Sequence, residues 1–498
     1  MNVAARPPGT RIAAAKLAFH RAYDPRIGAP ETARMAKVAG DILREEPHLG
    51  RIPPLAPLCS RGLADAPSLL IEDHSGIQLA HEKGADRNLS YRAAMLAREG
   101  DVLAVYGERN LPFEAYCRDI LGLGDVTVLA PRVADGDQSL SRACLEDEGL
   151  LARCADIACR AGAFNVHPYM ATGGVWRLAG AICKRAGVPV RVAGPGPALA
   201  RAVNDKLWFT RTAALLLGHD AVPHNRTVYG MAALVGHLRR FVGRHHVVGL
   251  KLPHSAASMG NMVLESPDFA GSSSKAIAGR LAEAIDRRGW DKPFPMQITA
   301  WEGPLLGSPS VQLWIPDPAD GPPIVEAVFD QATQGAAARF TGGAPSVLGE
   351  PLRQNIAHEG ALLGALFQQL GYFGRCSFDA VVVGETEAEA RLHWVECNGR
   401  WGGMSLPMTL ANRLVGNWQK GGFLVFSHHD PGGVPRTVPQ LLERCGDLLF
   451  RHGNPSGLVL LTPGRLPSGG ADFLVLAQDQ AAARRLSEAA IVRLSGSP

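Results

Sequence analysis

At 498 residues the chain is too long for one ordinary hydrophobic core, and we expect roughly two to four domains. Hydrophobic residues make up 46% of the sequence and charged residues 20%, a composition typical of soluble globular proteins. The 51 lysine and arginine residues outnumber the 47 aspartate and glutamate residues by four. This small, dispersed excess of positive charge argues against a nucleic-acid or membrane partner.

The nine cysteines are scattered and include no C-x-x-C pair, so neither a disulfide framework nor a cysteine metal site is indicated. The segment from Met1 to Arg11 has no apolar core of the kind found in a secretory signal. No stretch approaches the about 20 uninterrupted apolar residues that a membrane helix needs. Together these observations predict a cytoplasmic protein without a membrane span.

Residues 1–95 are predicted to form an N-terminal extension or helical arm. Apolar residues recur at helical spacing between Pro30 and Arg44, which predicts one helix. The prolines between Ile52 and Pro57 predict a connector after it. The role of this part stays open between a lid, an oligomerisation arm and a mobile segment.

Residues 96–200 alternate between strand-like and helix-like segments, which favours a small, mostly parallel α/β sheet. The predicted elements are, in chain order, a strand at 101–107, a helix at 112–121, strands at 126–130 and 162–169, a helix at 172–186 and a strand at 188–192. No G-x-G-x-x-G follows the first strand, so a dinucleotide site is poorly supported. The run from Gly194 to Pro197 marks the end of this domain.

A helix that begins at Asn204, Asp205 and Lys206 opens the part of the chain that carries candidate chemistry. We expect Asn204 to cap its free amides, and Asp205 suits the positive end of the helix dipole. Gly218 is predicted to end the helix.

One lysine, Lys251, lies in an apolar strand predicted at 247–252, where an ammonium group is costly unless it has an anionic partner. A loop of small residues at 253–261 follows before a strand resumes at Met262. Small side chains let backbone amides fold over phosphate groups, although an ordinary flexible hairpin tip is the alternative. The lysine beside the loop favours phosphate binding.

Three further elements are predicted between this loop and residue 370. A strand at 295–302 ends at the carboxylate of Glu302, and strands at 310–315 and 324–329 are expected to pair in antiparallel orientation. A helix at 356–370 carries apolar residues at helical spacing, so its stripe is predicted to be core.

Two carboxylates are predicted to lie side by side on a β-hairpin. Asp379 lies in one strand-like run and Glu396 in the next, with a polar turn near 384–389. Side chains two apart on a strand share a face, so Asn398 would lie with Glu396, and Cys397 would turn to the buried face. Carboxylate and amide oxygens are ligands that Mg²⁺ takes in nucleotide sites. An ordinary polar strand edge is the alternative for this motif alone.

Arg400 continues the same alternation, so its planar guanidinium could lie against phosphate oxygens. Gly402 and Gly403 follow it and would let the backbone approach a ligand closely.

In their order along the chain, these motifs resemble the ATP-grasp superfamily. The matching features are the helix at Lys206 with its exit through Gly218 and Pro223, Lys251 with its loop, the strand ending at Ala300, Trp301 and Glu302, and the set Asp379, Glu396, Asn398 and Arg400. The resemblance covers residues 201–425. The loop departs from the family pattern because Gly260 is its one glycine.

The resemblance implies an α/β and α+β multidomain fold. Residues 201–425 would form the two α+β lobes of the ATP-grasp domain, 96–200 a Rossmann-like pre-ATP-grasp domain, and 426–498 a small C-terminal α+β domain. Within the superfamily the layout is most similar to the pheganomycin-type peptide ligases. That finer similarity rests on the Asn204 helix, the strands at Ser310 and Phe378, the run from Glu396 to Gly403 and the C-terminal domain.

The resemblance also implies a role for each candidate residue. The implied contacts are the ATP phosphates for Lys206, Lys251, Ser258, Met259 and Gly260, adenine for Ala300 and Trp301, ribose for Glu302, and one or two Mg²⁺ ions, or Mn²⁺, for Asp379, Glu396 and Asn398. Arg400 and Arg375 would stabilise the reacting acyl phosphate. A surface salt bridge is the alternative for Arg375.

The implied reaction joins a carboxylic acid to an amine, such as an amino acid or peptide, through an acyl phosphate with release of ADP. A place in natural-product peptide assembly and a homodimer are further expectations from the resemblance. The alternatives are an ATP-grasp kinase for a small acid or alcohol, a non-catalytic nucleotide-binding protein and a dinucleotide-dependent oxidoreductase. The full set of candidate ligands argues against the second, and the missing glycine fingerprint argues against the third.

Overall fold

The computed structural model describes residues 17, 19–79, 88–132 and 139–495. The prediction about Met1 to Arg11 lies outside these residues. Within the described ranges, no helix is both long enough and apolar enough to cross a membrane.

The first part of the chain forms a six-stranded sheet in which every strand pairs in parallel with its neighbours, in the order β1-β6-β5-β2-β3-β4. Its elements are, in chain order, α1 (Ala29–Glu45), β1 (Cys59–Arg61), β2 (Ser68–Ile71), β3 (Val102–Ala104), α2 (Leu111–Ala115), β4 (Thr127–Leu129), α3 (Leu140–Glu146), α4 (Glu148–Ala161), β5 (Phe164–Pro168), α5 (Gly173–Ala186), β6 (Val190–Val192) and α6 (Pro197–Val203). The predicted parallel sheet is confirmed.

Two strands of this sheet, β1 and β2, come before residue 96, so the sheet starts earlier in the chain than the predicted domain at 96–200. They have three and four residues, too few to show a periodic pattern in the sequence. Strand β2 nevertheless lies inside the sheet, between β3 and β5, and all four of its residues are buried.

Helix α1 packs into a core rather than extending as a free arm. Glu31 accepts a hydrogen bond from the Gly28 amide, which fixes the first turn. The apolar side of the helix buries Met35, Val38 and Ile42 in the core that also holds side chains of the largest sheet. The N-terminal helix is therefore part of the folded body that carries the candidate site.

Residues 206–300 contain a four-stranded antiparallel sheet in the order β7-β10-β8-β9. The elements are α7 (Lys206–Leu217), β7 (Asn225–Val228), α8 (Met231–Val242), β8 (Val247–Lys251), β9 (Asn261–Glu265), α9 (Ser274–Arg287) and β10 (Met296–Ala300). The predicted strands on both sides of the small-residue loop are confirmed as β8 and β9, which pair Lys251 with Asn261.

The cap of α7 differs from the prediction. Asp205, not Asn204, accepts hydrogen bonds from the amides of Leu207 and Trp208. The expectation for Asn204 was wrong because this residue ends α6 with its backbone still close to helical values, whereas Asp205 is the first extended residue. Gly218 ends α7, as predicted.

The largest sheet has nine strands in the order β11-β15-β12-β13-β14-β17-β19-β18, with β16 paired to β15. Its strands and helices are β11 (Leu305–Gly307), β12 (Pro309–Ile315), β13 (Ile324–Gln334), β14 (Arg339–Pro345), α10 (Glu350–Gln369), β15 (Gly374–Val383), β16 (Arg391–Asn398), α11 (Ser405–Val415), β17 (Gly422–His429), α12 (Val438–Cys445), β18 (Gly457–Leu460), β19 (Gly470–Ala477) and α13 (Gln480–Leu494).

Most local predictions for this part are confirmed. Strands β12 and β13 pair in antiparallel orientation, and the predicted apolar stripe of α10 is buried. The C-terminal strands do not form a sheet of their own. Strand β17 pairs with β14, and β19 and then β18 continue the same sheet from β17. The sequence shows strand-like runs there but does not name their partners.

Candidate functional site

A lysine–carboxylate cluster forms where α7, β8 and the β15–β16 hairpin meet. It consists of Lys206, Lys251, Asp379, Glu396 and Asn398, five residues that sequence analysis had assigned to phosphate and metal binding. The Nζ atom of Lys206 lies 2.9 Å from Oε2 of Glu396 and donates to the carbonyl oxygen of Ser255 at 2.6 Å. This lysine is 5% exposed. Its two contacts join the carboxylate strand to the small-residue loop.

The two carboxylates stand opposite each other in the sheet, because Asp379 pairs in register with Glu396. Ser310 Oγ donates to Oδ1 of Asp379 at 2.6 Å, and Asn398 Nδ2 donates to its Oδ2 at 2.9 Å. The predicted hairpin is confirmed. Cys397 is buried on the other side of the strand, with its sulfur 3.6 Å from that of Cys376, as the alternation predicted.

The electrostatics of the two carboxyls differ. Burial and the neighbouring Glu396 carboxylate raise the pKa of Asp379. Burial also acts to raise the pKa of Glu396, but the ammonium groups of Lys206 and Lys251 outweigh it, so its pKa lies well below the usual value. Asp379 therefore carries a negative charge at a cost that another cation would relieve.

The donor set fits a hard divalent cation. Two carboxylates and one amide, on adjacent strands and one face, supply oxygen ligands of the kind that Mg²⁺ uses together with water and substrate phosphates. Within the described ranges, no group of three or more His, Cys, Asp or Glu side chains has a metal-binding arrangement. A cation held here would therefore depend on the Asn398 amide oxygen and on ligands from outside the protein.

Lys251 is the second buried lysine of the cluster. The residue is 9% exposed, and burial lowers the pKa of its ammonium group to about 8, even though Glu396 acts in the opposite direction. The ring of Trp301 lies 5.4 Å from Nζ. Trp301 can reach this position because a Cβ on Gly249 would stand 2.7 Å from its ring. A buried ammonium with a lowered pKa gains from an added anion.

The small-residue loop is held by three different contacts. Ser258 Oγ donates to the carbonyl of Ala338 at 2.8 Å, and Met259 packs between two hydrophobic cores. A Cβ on Gly260 would lie 2.2 Å from Oγ of Ser255, so only glycine fits at this position. The glycine is therefore explained by packing within the loop, in addition to any approach of a phosphate.

Backbone hydrogen bonds limit which groups of Ala300 and Trp301 could contact adenine. The amide of Ala300 donates to the carbonyl of His224 at 2.8 Å, and the amide of Trp301 donates to the carbonyl of Val247 at 3.1 Å. Neither amide can donate to a base, which leaves the carbonyls and the Trp301 ring for such a contact. Glu302 follows directly, and its Oε2 lies 2.5 Å from Nδ1 of His393.

Arg400 is buried next to the cluster but not on the strand, which ends at Asn398. Its Nε donates to Oη of Tyr169 at 3.1 Å, and its Nη1 donates to Oδ1 of Asn204. Burial acts to raise the pKa of Tyr169, but Arg400 and His74 outweigh it, so the pKa of the phenol is lowered. Arg400 thus links the parallel-sheet domain to the cluster.

Arg375 lies in a core pair with Glu326, each side chain 1% exposed. Its guanidinium lies 4.8 Å from the ring of Trp401 and 5.2 Å from that of Phe19. The alternative of a surface salt bridge was therefore wrong about location, because the strand carries Arg375 into the interior. A catalytic role for Arg375 stays a prediction, and its closed surroundings do not favour it.

Sequence analysis did not predict the contacts that Tyr169, His393 and Asn204 make with this region. Asn204 Oδ1 accepts from the amide of Gly399 as well as from Arg400. None of the three belongs to a local motif, because their partners are 91 to 231 residues away. Only the position of Tyr169 just after a strand of a parallel sheet could have signalled it.

Comparison with known proteins bears on the fold. A family model described as the pre-ATP-grasp domain matches residues 90–183. No curated protein matches the sequence.

Similar solved structures cover most of the chain at low identity. The ADP complex of N5-carboxyaminoimidazole ribonucleotide synthetase (PurK) has a TM-score of 0.51 and 12% identity, over 85% of this chain and 97% of that one. The biotin carboxylase complex from Campylobacter jejuni has a TM-score of 0.51 and 15% identity, over 88% and 92% of the two chains. The biotin carboxylase domain of the Hydrogenobacter thermophilus 2-oxoglutarate carboxylase, in complex with MgADP, ADP and bicarbonate, has a TM-score of 0.50 and 11% identity, over 87% and 89%.

These matches show the fold: the chain has the ATP-grasp fold, preceded by a pre-ATP-grasp domain. The multidomain α/β and α+β fold predicted from the sequence is confirmed. The identities are too low to carry activity, and the pheganomycin-type similarity is not among the findings.

Proposed function

We propose that this protein is an ATP-dependent carboxylate–amine ligase that forms an amide bond through an acyl phosphate and releases ADP. The observation that carries the proposal is the lysine–carboxylate cluster, in which two buried ammonium groups face two carboxylates at the junction of three elements. A synthetase and a carboxylase of the same fold, solved with ADP or MgADP, support a nucleotide ligand.

The nucleotide would lie along the cluster with its phosphates toward Lys206 and Lys251. The low pKa of Lys251 gives a direct reason for this orientation, because a phosphate would supply the anion that its buried ammonium lacks. The loop residues Ser258, Met259 and Gly260 would cover the phosphates. A loop closed over the site would keep out water that would otherwise hydrolyse an acyl phosphate.

Adenine and ribose would lie toward the strand β10. The Trp301 ring and the carbonyl groups of Ala300 and Trp301 would contact the base, since both amides are already engaged. Glu302 would accept hydrogen bonds from the ribose hydroxyls.

Asp379, Glu396 and Asn398 would hold one or two Mg²⁺ ions, or Mn²⁺. Bound there, the metal supplies neutralisation of the charge on the phosphates during transfer. The raised pKa of Asp379 is consistent with a site that a cation completes.

In the proposed reaction, an oxygen of the acid substrate attacks the γ-phosphorus, the bond to the bridging oxygen breaks and ADP leaves. An amine then attacks the acyl carbon, and inorganic phosphate leaves with the bonding electron pair while the amine loses a proton. Arg400 would stabilise the negative charge of the acyl phosphate and its tetrahedral successor. The lysines and Arg400 act mainly by positioning and by neutralising charge.

The finer expectations are part of the same proposal. The acid and amine would be small molecules, with an amino acid or peptide as the amine, and the role would lie in peptide natural-product assembly. Cytoplasmic location, a homodimer and a domain boundary near residue 200 are proposed with it.

The test is an assay with Mg–ATP, pooled amino acids and small acids, and hydroxylamine as a generic amine. Hydroxamate formed together with ADP supports the ligase, since hydroxylamine attacks the acyl carbon of an acyl phosphate and displaces phosphate. ADP without hydroxamate, formed in proportion to an added alcohol, would instead indicate a kinase. A kinase for an acid would also give hydroxamate, but it would form no amide when an amino acid replaces hydroxylamine. If calorimetry shows that the protein does not bind Mg–ATP at all, the proposal is wrong.

A further inference from the structure

His393 lies on the same face of β16 as Glu396, although three positions separate them. The pairing changes register between Asp379 and Ala380, which stand opposite Glu396 and Trp394, so Val395 is the extra residue of a β-bulge. The bulge reverses the alternation along the strand. Trp394 and Cys397 consequently share one buried core.

On the other face, His393 reaches across to Glu302 beyond the end of β10. Its Nδ1 and Oε2 of Glu302 are 2.5 Å apart, and the two side chains are 6% and 17% exposed. Among the described residues, none donates a hydrogen bond to the second oxygen of Glu302. The contact therefore fixes the carboxylate and leaves one acceptor for a ligand.

The position of this carboxylate indicates which part of a nucleotide it would meet. Glu302 follows Trp301, whose ring lies 5.4 Å from Nζ of Lys251. Glu302 is also among the groups whose charge acts on the Lys251 ammonium. In the proposed mode of binding, Trp301 contacts the base and Lys251 the phosphates, so a carboxylate next to both would face the sugar that connects them.

We propose that His393 is a positioning residue that sets the preference of the site for ribonucleotides. It holds one oxygen of Glu302 so that the carboxylate is fixed as a hydrogen-bond acceptor for the ribose hydroxyls. A 2′-deoxynucleotide lacks one of these donors and leaves a partly buried carboxylate oxygen unpaired. This inference rests on the proposed function, because it requires a nucleotide in the site.

The test compares binding of Mg–ATP and Mg–2′-deoxy-ATP to the full-length protein by calorimetry. His393→Phe removes the hydrogen bond but keeps a ring, and His393→Asn keeps a donor near the position of Nδ1. His358→Phe is the matched control, because His358 contacts the carboxylate of Glu31 at 2.8 Å on other elements. The readout is the ratio of the two dissociation constants, which a general loss of folding does not change.

The wild-type protein is expected to bind Mg–ATP about tenfold or more tightly than the deoxynucleotide, the size of one hydrogen bond to a charged group. His393→Phe should bring the ratio close to one by weakening ATP alone. His393→Asn should restore part of the preference, and His358→Phe should leave it intact.

A wild-type ratio of one, or an unchanged ratio in His393→Phe, would overturn the role of His393 while leaving ATP binding established. If the wild-type protein binds neither nucleotide, the proposed function itself is refuted, and the inference falls with it.

Discussion

The lysine–carboxylate cluster and the core pair of Arg375 with Glu326 are both largely buried, both join charges of opposite sign and both include one residue of β15, yet they are held differently. The guanidinium of Arg375 is enclosed by aromatic rings, and its charge is matched by one carboxylate. The cluster instead brings like charges together, which raises the pKa of Asp379 and accompanies a low pKa of Lys251.

The pair of Arg375 and Glu326 is part of a closed core, whereas the lysine–carboxylate cluster needs a ligand to balance its charges. Charges matched within the protein contribute to one folded structure, whereas unmatched charges of both signs favour the binding of anions and cations.

The largest expected effect is on stability, from breaking the core pair. Arg375→Met leaves the Glu326 carboxylate buried without its partner, which should lower the free energy of unfolding by about 3–5 kcal/mol. Urea unfolding measures the change, and Arg375→Met combined with Glu326→Gln should recover part of it. Near-native stability with selective loss of ATP turnover would instead make Arg375 a functional residue.

Glu396→Ala should lower activity rather than stability. It removes a proposed metal ligand and the partner of Lys206, so ADP release in the hydroxylamine assay should fall by about 100-fold or more, while the fold is retained. Circular dichroism and thermal unfolding check the fold. Glu385→Ala, an exposed carboxylate in the turn of the same hairpin, is the control and should change neither quantity. A well-folded Glu396→Ala protein with normal turnover would refute the metal assignment.

Binding of Mg–ATP should weaken as the pH rises above about 8 because of Lys251. In the free protein burial lowers the pKa of this ammonium to about 8, so the charged form dominates below that pH and is lost above it. Because a phosphate stabilises the charged form, binding near pH 8.5 should take up a proton. The other groups whose charges act on Lys251 are Glu396, Lys206, Asp379 and Glu302.

Calorimetry in buffers of different ionisation enthalpy measures this proton uptake. Lys251→Arg keeps its charge throughout the range and should show no uptake from this position. Equal proton uptake in both proteins would assign the effect to another group.

The smallest effect is expected from Gly260→Ala. The added Cβ would meet Oγ of Ser255 at 2.2 Å, so the loop must shift and Mg–ATP should bind several-fold, about threefold to tenfold, more weakly. Global stability should fall by about 1–3 kcal/mol, because Gly260 and Ser255 are both buried. Gly279→Ala on α9 has open space around its Cβ and is the control. Unchanged affinity would show that the loop does not contribute to binding of Mg–ATP.

Features that depend on neighbours in sequence were accessible before the structure. The hairpin that pairs Asp379 with Glu396 could be predicted because a polar turn separates two strand-like runs that are neighbours in the sequence. The stripe of α10 was equally clear from its spacing. These elements have their partners close by in the chain, or need only a generic core.

Features that depend on distant partners or on single extra residues could not be predicted from the sequence. Strands β1 and β2 are too short to show a pattern, and the alternative for Arg375 was a surface salt bridge because its partner Glu326 is 49 residues away. The bulge at Val395 is a single residue that strict alternation does not reveal, and it alone turns His393 toward Glu302. Asn204 was taken for a cap because its contacts with Gly399 and Arg400 span about 195 residues.

The central claim is that the cluster is completed by Mg–ATP and the core pair is not involved. The most direct measurement is the shift in thermal unfolding temperature on addition of Mg–ATP for the wild type, Glu396→Gln and the double variant Arg375→Met with Glu326→Gln. The account predicts a clear rise for the wild type and for the core-pair variant, and little or none for Glu396→Gln. The same rise in Glu396→Gln as in the wild type would contradict it.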